Sequence, residues 1–66
     1  MGVSVELLGG TVPVKVAHRG GVIVSATPEF EDVAALAAET GQPVRAVLAR
    51  ASAAAAQAGL ESGAAI

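Results

Sequence analysis

The hydrophobic pattern of this 66-residue sequence changes its period once, near residue 27. Before that point apolar residues alternate with other residues, which predicts half-buried β-strands, because successive side chains of a strand point to opposite faces. After that point apolar residues recur at spacings of three and four, which is typical of amphipathic helices. The sequence therefore predicts a small α+β fold: an antiparallel β-hairpin or three-stranded meander, followed by a two-helix αα-hairpin.

Glycine pairs divide the first part into three strand-like runs. Valine and leucine alternate over residues 3–7, three valines alternate over 12–17, and a β-branched run covers 22–26. Gly9-Gly10 interrupts the first two runs, and His18-Arg19-Gly20-Gly21 predicts a hairpin turn between the last two. We expect Pro13 at a strand start or edge, because proline has no N–H to donate to a sheet.

The helical part begins with Thr27-Pro28, because threonine can cap free N–H groups and proline suits the first helical position. Gly41 predicts the end of the first helix, and Pro43 the start of the second. We predict one domain over 1–66. Its parts are a β ribbon over 1–26, a helical pair over 27–58 and a frayed tail over 59–66.

Large apolar side chains are scarce in this chain. The hydrophobic fraction is 53%, but 16 of those residues are alanine, which buries little area. A domain of this size has a marginal core, and without cysteine it has no disulfide to add stability. We therefore expect the chain to form a homo-oligomer or to pack against another part of a larger protein.

Charge and hydropathy exclude several classes of protein. The apolar runs are too short to span a membrane, and the N-terminal segment lacks the basic start and apolar core of a secretory signal. These features predict a cytoplasmic protein without membrane contact. A net charge of −2 and a single aromatic residue argue against nucleic-acid binding, which usually needs a basic face and stacking side chains.

Three carboxylates occur within four residues, at Glu29, Glu31 and Asp32. Carboxylate oxygens are the ligands that Mg²⁺ and Mn²⁺ prefer, so this cluster is a candidate divalent-metal site. Glu29 and Asp32 share one side of a helix, whereas Glu31 projects elsewhere. The alternative is that the acids complement the helix dipole on a solvated surface.

Basic side chains flank the glycine turn at Lys15, His18 and Arg19. Lys15 and Arg19 have the same strand parity, opposite to the valines, and could meet a phosphate chain beside a flexible turn. The alternative is a hairpin with solvated basic side chains. No phosphate-loop or dinucleotide fingerprint is present, and no complete nucleophile–base–acid triad can be identified.

The two predicted helices also have the outline of a helix–turn–helix module. Such a module places basic and amide side chains early in its second helix, where this chain offers Gln42 and Arg45, with Arg50 further on. DNA binding therefore stays open as a less favoured alternative.

Three motifs together resemble the C-terminal end of LarC-type proteins, which complete the nickel-pincer cofactor of lactate racemase. They are the VKVA strand at 14–17, the PEFED segment at 28–32, and the AAETGQP segment at 37–43 followed by Val47. The resemblance covers roughly residues 12–58 and corresponds to the tail of a much longer family protein.

In that family, nickel is placed into a pyridinium-bisthiocarboxylate mononucleotide while CTP is hydrolysed with a divalent metal. The resemblance thus implies a cytoplasmic nucleotide-binding and oligomerisation module of a CTP-dependent nickel insertase, a cyclometallase-type lyase. Together with the charge pattern, it suggests contacts to CTP from Lys15, Arg19 and Arg45. Contacts to Mg²⁺ or Mn²⁺ are expected from Glu29, Glu31 and Asp32.

The expected partner is an upstream LarC-like domain or subunit, and we do not expect the chain to insert nickel alone. A separate subunit, a relict and a fragment of a longer protein all remain open. The alternative function is an interaction or oligomerisation module without catalysis.

Overall fold

The computed structural model describes residues 2–65 as three strands followed by two helices. Met1 and Ile66, the two ends of the predicted domain, lie outside the described residues. The order confirms the predicted α+β fold, a three-stranded meander before a helical pair. The elements are β1 Gly2–Leu7, β2 Gly10–Arg19, β3 Val22–Pro28, α1 Phe30–Thr40 and α2 Val44–Gln57.

The sheet is an antiparallel meander in the order β1-β2-β3. Gly20 and Gly21 form the second turn, and both have positive φ, as a type I′ hairpin turn requires. The first turn lies one residue earlier than predicted, at Leu8 and Gly9, while Gly10 pairs with Leu7 as the first residue of β2. Leu8 adopts φ 51°, and its side chain packs against the core.

The core forms between one face of the sheet and the two helices. The inward valines of β2 meet Val33 of α1 and Val47 of α2, and all of them are at most 2% exposed. α1 covers β2, while α2 packs across β1 and β3. Alanines on the buried helix faces allow the helices to lie close to the sheet. The two layers therefore pack together without large side chains between them. The inward β2 valines are Val12, Val14 and Val16.

The strand-to-helix junction differs from the sequence prediction at Thr27 and Pro28. Both residues belong to β3, where Thr27 pairs with Lys15 and Pro28 with Val14. Pro28 is also buried, so pairing in the sheet overrides the local capping signal. Glu29 is the N-cap of α1 instead, and its side chain makes no capping hydrogen bond.

Residues 62–65, part of the tail that was predicted to fray, lie along the outer edge of β3. The Ile23 N–H donates to the Ala64 carbonyl at 2.8 Å, and the Gly63 N–H donates to the Ile23 carbonyl at 2.9 Å. Ala65 forms an antiparallel bridge with Val22. An open strand edge thus offers these residues backbone partners that local propensity does not reveal, while the predicted fraying of the tail stays a prediction.

No helix within residues 2–65 has the length and apolar character needed to cross a bilayer.

Replacing Val33 with alanine tests the core. Val33 is fully buried, so Val33→Ala should lower the free energy of unfolding by about 2–3 kcal/mol through lost burial and a residual cavity. Val24 is 56% exposed, so Val24→Ala is the matched control and should cost less than about 1 kcal/mol. Urea titration followed by circular dichroism measures both, and equal losses would contradict this description of the core.

Candidate functional site

Lys15 lies on the face of the sheet that the helices leave open. Its neighbours Val14 and Val16 are buried beneath the helices, while Lys15 itself is exposed. This follows from the two-residue period of a strand, which turns alternate side chains to opposite faces. In the register, Lys15 stands between Gly2 of β1 and Thr27 of β3. Gly2 has no side chain to cover the ammonium group, so Lys15 stays accessible.

Glu29 is brought to the same region by one backbone hydrogen bond. Its N–H donates to the Pro13 carbonyl at 2.9 Å, which extends the β2–β3 ladder one residue beyond Pro28. Glu29 therefore takes the position opposite Pro13, two residues from Lys15 and on the same side of the sheet. Local sequence spacing does not indicate this proximity, because it depends on the hairpin register.

Lys15 and Glu29 line one open pocket of about 360 Å³, together with Gly2, Pro13 and Val14. Within residues 2–65, Lys15 and Glu29 take part in no ion pair and no side-chain hydrogen bond. Both charges are therefore available to a ligand. An ammonium group can bind phosphate oxygens, and a single carboxylate can share a divalent cation with those oxygens.

Glu31 and Asp32 do not complete a metal cage with Glu29. They lie in the first turn of α1, where their negative charges interact favourably with the positive end of the helix dipole. Within the described residues 2–65, no three histidine, aspartate or glutamate side chains form a group that could hold a metal ion. The geometry thus fits one protein carboxylate at the pocket and does not fit a preformed three-carboxylate site.

The other predicted basic residues lie away from this pocket. Arg19 ends β2, four residues beyond Lys15 and hence roughly 13 Å along the strand. His18 pairs with Ile23 beside an irregularity in the β2–β3 register. Arg45 is exposed in the first turn of α2. Neither arginine lines the pocket, so the structure brings together Lys15 and Glu29 but not Arg19 or Arg45.

Sequence reasoning missed the backbone part of the pocket. Gly2 and Pro13 line the pocket because of the strand register, which local spacing does not specify, although the alternation around Pro13 indicated which face it would take. A larger cavity of about 570 Å³ lies beside the end of α2 and was also missed. Its lining includes Glu6, Thr11 and Gln57 but no basic side chain, so it suits a phosphate less well.

Comparison with known proteins identifies the family of the chain. The family described as "Nickel insertion protein" matches residues 2–48, which include the sheet, α1 and the start of α2. This chain belongs to the nickel insertion protein family. The match includes Lys15 and Glu29, so the pocket lies in the part of the chain that the family shares. It also extends the resemblance to β1, which the sequence motifs did not cover.

Two curated relatives agree with this assignment. The pyridinium-3,5-bisthiocarboxylic acid mononucleotide nickel insertion protein of Nocardioides sp. strain JS614 is 45% identical over 49 residues, covering 74% of this chain and 12% of the relative. A protein of Gloeobacter violaceus, also named as a nickel insertion protein, is 46% identical over 43 residues, covering 65% of this chain and 10% of the relative. The chain thus spans about a tenth of these relatives. No solved structure matches it significantly.

Replacing Glu29 with aspartate tests the N-cap. Glu29 makes no capping hydrogen bond, whereas the shorter aspartate side chain can accept from the free N–H groups of the first turn. Glu29→Asp should therefore raise the free energy of unfolding by about 0.5–1 kcal/mol. The control is Glu39→Asp near the end of α1, where no free N–H groups await a cap. Thermal unfolding in which Glu29→Asp is no more stable than the parent would contradict this.

Proposed function

We propose that this chain is the C-terminal nucleotide-binding and oligomerisation module of a nickel insertase that uses CTP to mature the nickel-pincer cofactor. Membership of the nickel insertion family supports the reaction class. The pocket shared by Lys15 and Glu29 is the observation that carries the nucleotide role. Nickel is the substrate of the whole protein in this proposal, and most of that protein corresponds to sequence outside the matched tenth.

Lys15 binds phosphate oxygens of CTP in this proposal, and its exposed ammonium group needs no prior ion pair to be broken. Glu29 orients a Mg²⁺ or Mn²⁺ ion that arrives with the nucleotide. Magnesium is commonly held by one or two carboxylates together with substrate phosphates, so one protein carboxylate suffices. The bound cation supplies neutralisation of phosphate charge, and the open pocket leaves room for the triphosphate.

The remaining predicted contacts, in this proposal, come from a second copy of the chain. Arg19 and Arg45 lie outside the pocket of their own copy, so they would reach a bound triphosphate from a neighbouring one. Glu31 and Asp32 would shape the electrostatic field at the start of α1 and would not ligate the cation directly. This arrangement links nucleotide binding to the proposed homo-oligomer.

Phe30 supports a role in assembly. It is the single aromatic residue of the chain, yet 62% of its surface is exposed at the first position of α1. Its place beside Glu29 puts this apolar surface next to the proposed nucleotide pocket. We propose that Phe30 packs against the upstream part of the nickel insertase, which would also account for the small core of the chain.

The helix–turn–helix alternative has weaker support. α2 turns Val47, Ala51 and Ala55 towards the core and leaves Arg45 and Arg50 exposed. Specific DNA binding usually relies on several phosphate contacts from basic residues, and this chain has four lysines and arginines in total. The pocket chemistry therefore favours the nucleotide.

Nucleotide binding tests the main proposal. In the presence of Mg²⁺, the full chain should bind CTP more tightly than ATP, and Lys15→Ala should weaken the binding at least tenfold through loss of a charged phosphate contact. Glu29→Gln should weaken Mg²⁺-dependent binding while leaving metal-free binding nearly unchanged. Isothermal titration calorimetry measures each dissociation constant, for the chain alone and joined to the upstream part of a family protein.

Arg50→Ala is the matched control, since Arg50 is exposed on α2 and does not line the pocket. Its affinity for CTP should equal that of the parent. Absence of CTP binding, both in the chain alone and in the chain joined to the upstream part, would overturn the nucleotide role. Equal losses of CTP affinity in Lys15→Ala and Arg50→Ala would show that binding depends on non-specific charge and would contradict the pocket.

Assembly with the upstream part tests the role of Phe30. Phe30→Ala should change the unfolding free energy of the isolated chain by less than about 1 kcal/mol, because the side chain is mostly exposed. The same change should weaken association with a separately produced upstream domain at least tenfold. Val44→Ala, a partly exposed apolar position on α2, is the control, and equal affinities for both variants would contradict the role of Phe30.

A further inference from the structure

The outer edge of β1 is an unpaired strand edge. β1 lies at one side of the sheet order β1-β2-β3, and within residues 2–65 no segment pairs with its outer side. The start of the opposite edge, along β3, is instead occupied by residues 62–65 of the same chain. A free edge presents a row of N–H and carbonyl groups with which another extended segment can pair.

The strand register identifies the backbone groups that point outward from β1. The Pro13 carbonyl accepts from the Glu29 N–H, so the backbone groups of Pro13 face β3 and point away from β1. Ser4 stands opposite Pro13, and at such a position of an antiparallel pair both residues turn their backbone groups away from each other. The N–H and carbonyl of Ser4 therefore point outward, and those of Glu6, two residues further on, do the same.

A cavity of about 570 Å³ turns this edge into a groove. Ser4 and Glu6 line its strand side, and Ala54, Gln57 and Ala58 at the end of α2 line its helix side. The three helix residues are spaced by three and four, so they share one face of α2. Two of them are alanines, whose short side chains leave space beside the strand. A peptide that adds a strand to the edge of β1 would lie in this groove.

The groove offers negative charge without a cation to balance it. Its lining contains the Glu6 carboxylate and no basic side chain, and Glu6 forms no ion pair within the described part of the chain. The carbonyls of Gln57 and Ala58 accept no backbone hydrogen bond from residues 2–65, and the end of a helix carries partial negative charge. Lysine and arginine side chains bind both kinds of group, so the charge favours a basic occupant.

We propose that the outer edge of β1 binds an extended peptide segment of a partner protein that carries two adjacent basic residues. The segment pairs its backbone with Ser4 and Glu6. Because successive side chains of a strand point to opposite faces, one basic side chain reaches the Glu6 carboxylate on the open face of the sheet. The next one reaches the free carbonyls at the end of α2.

A second copy of this chain fits the groove less well. Its β1, Gly2–Leu7, would bring another Glu6 and no basic residue. The end of α2 also lies beyond residues 2–48, so membership of the family does not by itself specify the groove. The inference goes beyond the proposed nucleotide role, and failure of CTP binding would not affect its test.

Binding of a model peptide to the full chain tests the proposal. The probe is a fluorescein-labelled peptide, Thr-Val-Lys-Lys-Val-Thr-amide, and fluorescence anisotropy measures its dissociation constant. Replacing both lysines with glutamate should weaken binding at least tenfold. Replacing both valines with proline keeps the charge but removes backbone donors, and it should also weaken binding at least tenfold. Equal affinity of the glutamate peptide would overturn the charge preference, and equal affinity of the proline peptide would overturn strand pairing.

Substitutions in the chain test the two sides of the interaction separately. Glu6→Gln should weaken binding of the lysine peptide at least fivefold, whereas Glu39→Gln removes an equal charge from an exposed position on α1 and should have no effect. Ser4→Pro removes the outward N–H and should also weaken binding at least fivefold, while Ser4→Ala keeps that N–H and should match the parent. Equal affinities within either pair would overturn the groove.

Hydrogen exchange locates the bound peptide without any substitution. The Ser4 and Glu6 amides should exchange rapidly in the chain alone and become protected when the lysine peptide binds. The Val5 amide, which pairs with Val12 of β2, should be protected in both states. Spermine carries cations but no peptide backbone and should leave the Ser4 and Glu6 amides unprotected.

Two results of this exchange experiment would overturn the proposal. One is binding of the lysine peptide without protection of the Ser4 and Glu6 amides, because the peptide would then lie elsewhere. The other is protection of these amides that rises with the concentration of the chain alone, because a second copy would then occupy the edge of β1.

Discussion

The alternation of β2 is the constraint on which the rest of the molecule depends. β2 is the central strand, and it pairs with β1 on one side and β3 on the other. Val12, Val14 and Val16 must all face the helices, since they supply much of the core in a chain so rich in alanine. A slip of one residue would expose the three valines and bury Lys15. The same register thus secures the core and presents the ammonium group on the open face.

The main elements were predictable because their patterns are local. Three alternating runs and two helical faces correspond to the five elements of the structure. The errors occur where a distant backbone group decides the outcome. Thr27 is a residue type that often caps helices, but pairing with Lys15 holds it in β3. Residues 63 and 64 have weak local preferences, and their backbone partner is the distant Ile23. Neither partner is near in sequence, so local reasoning could not find it.

The candidate site shows the same division. Lys15 and Glu29 were named from charge and from the family resemblance, and the structure brings them to one pocket. Their proximity depends on the length of β3, which no local signal specifies. Arg19 lies at the far end of the same strand, so shared parity did not imply a shared pocket. Helix spacing already indicated that Glu31 projects away from Glu29 and Asp32, and the described residues accordingly contain no three-carboxylate metal group.

Pro13 decides where the sheet gives way to the helix. In an antiparallel ladder, the residue opposite Glu29 would normally accept one hydrogen bond and return another. Pro13 accepts from the Glu29 N–H but has no N–H to return, and the Glu29 carbonyl accepts instead from Val33 at 3.1 Å. A missing donor in one strand thus releases the acceptor that starts α1. The position of the Glu29 carboxylate at the edge of the sheet therefore depends on Pro13, sixteen residues earlier, because this proline ends the pairing of the strand opposite to it.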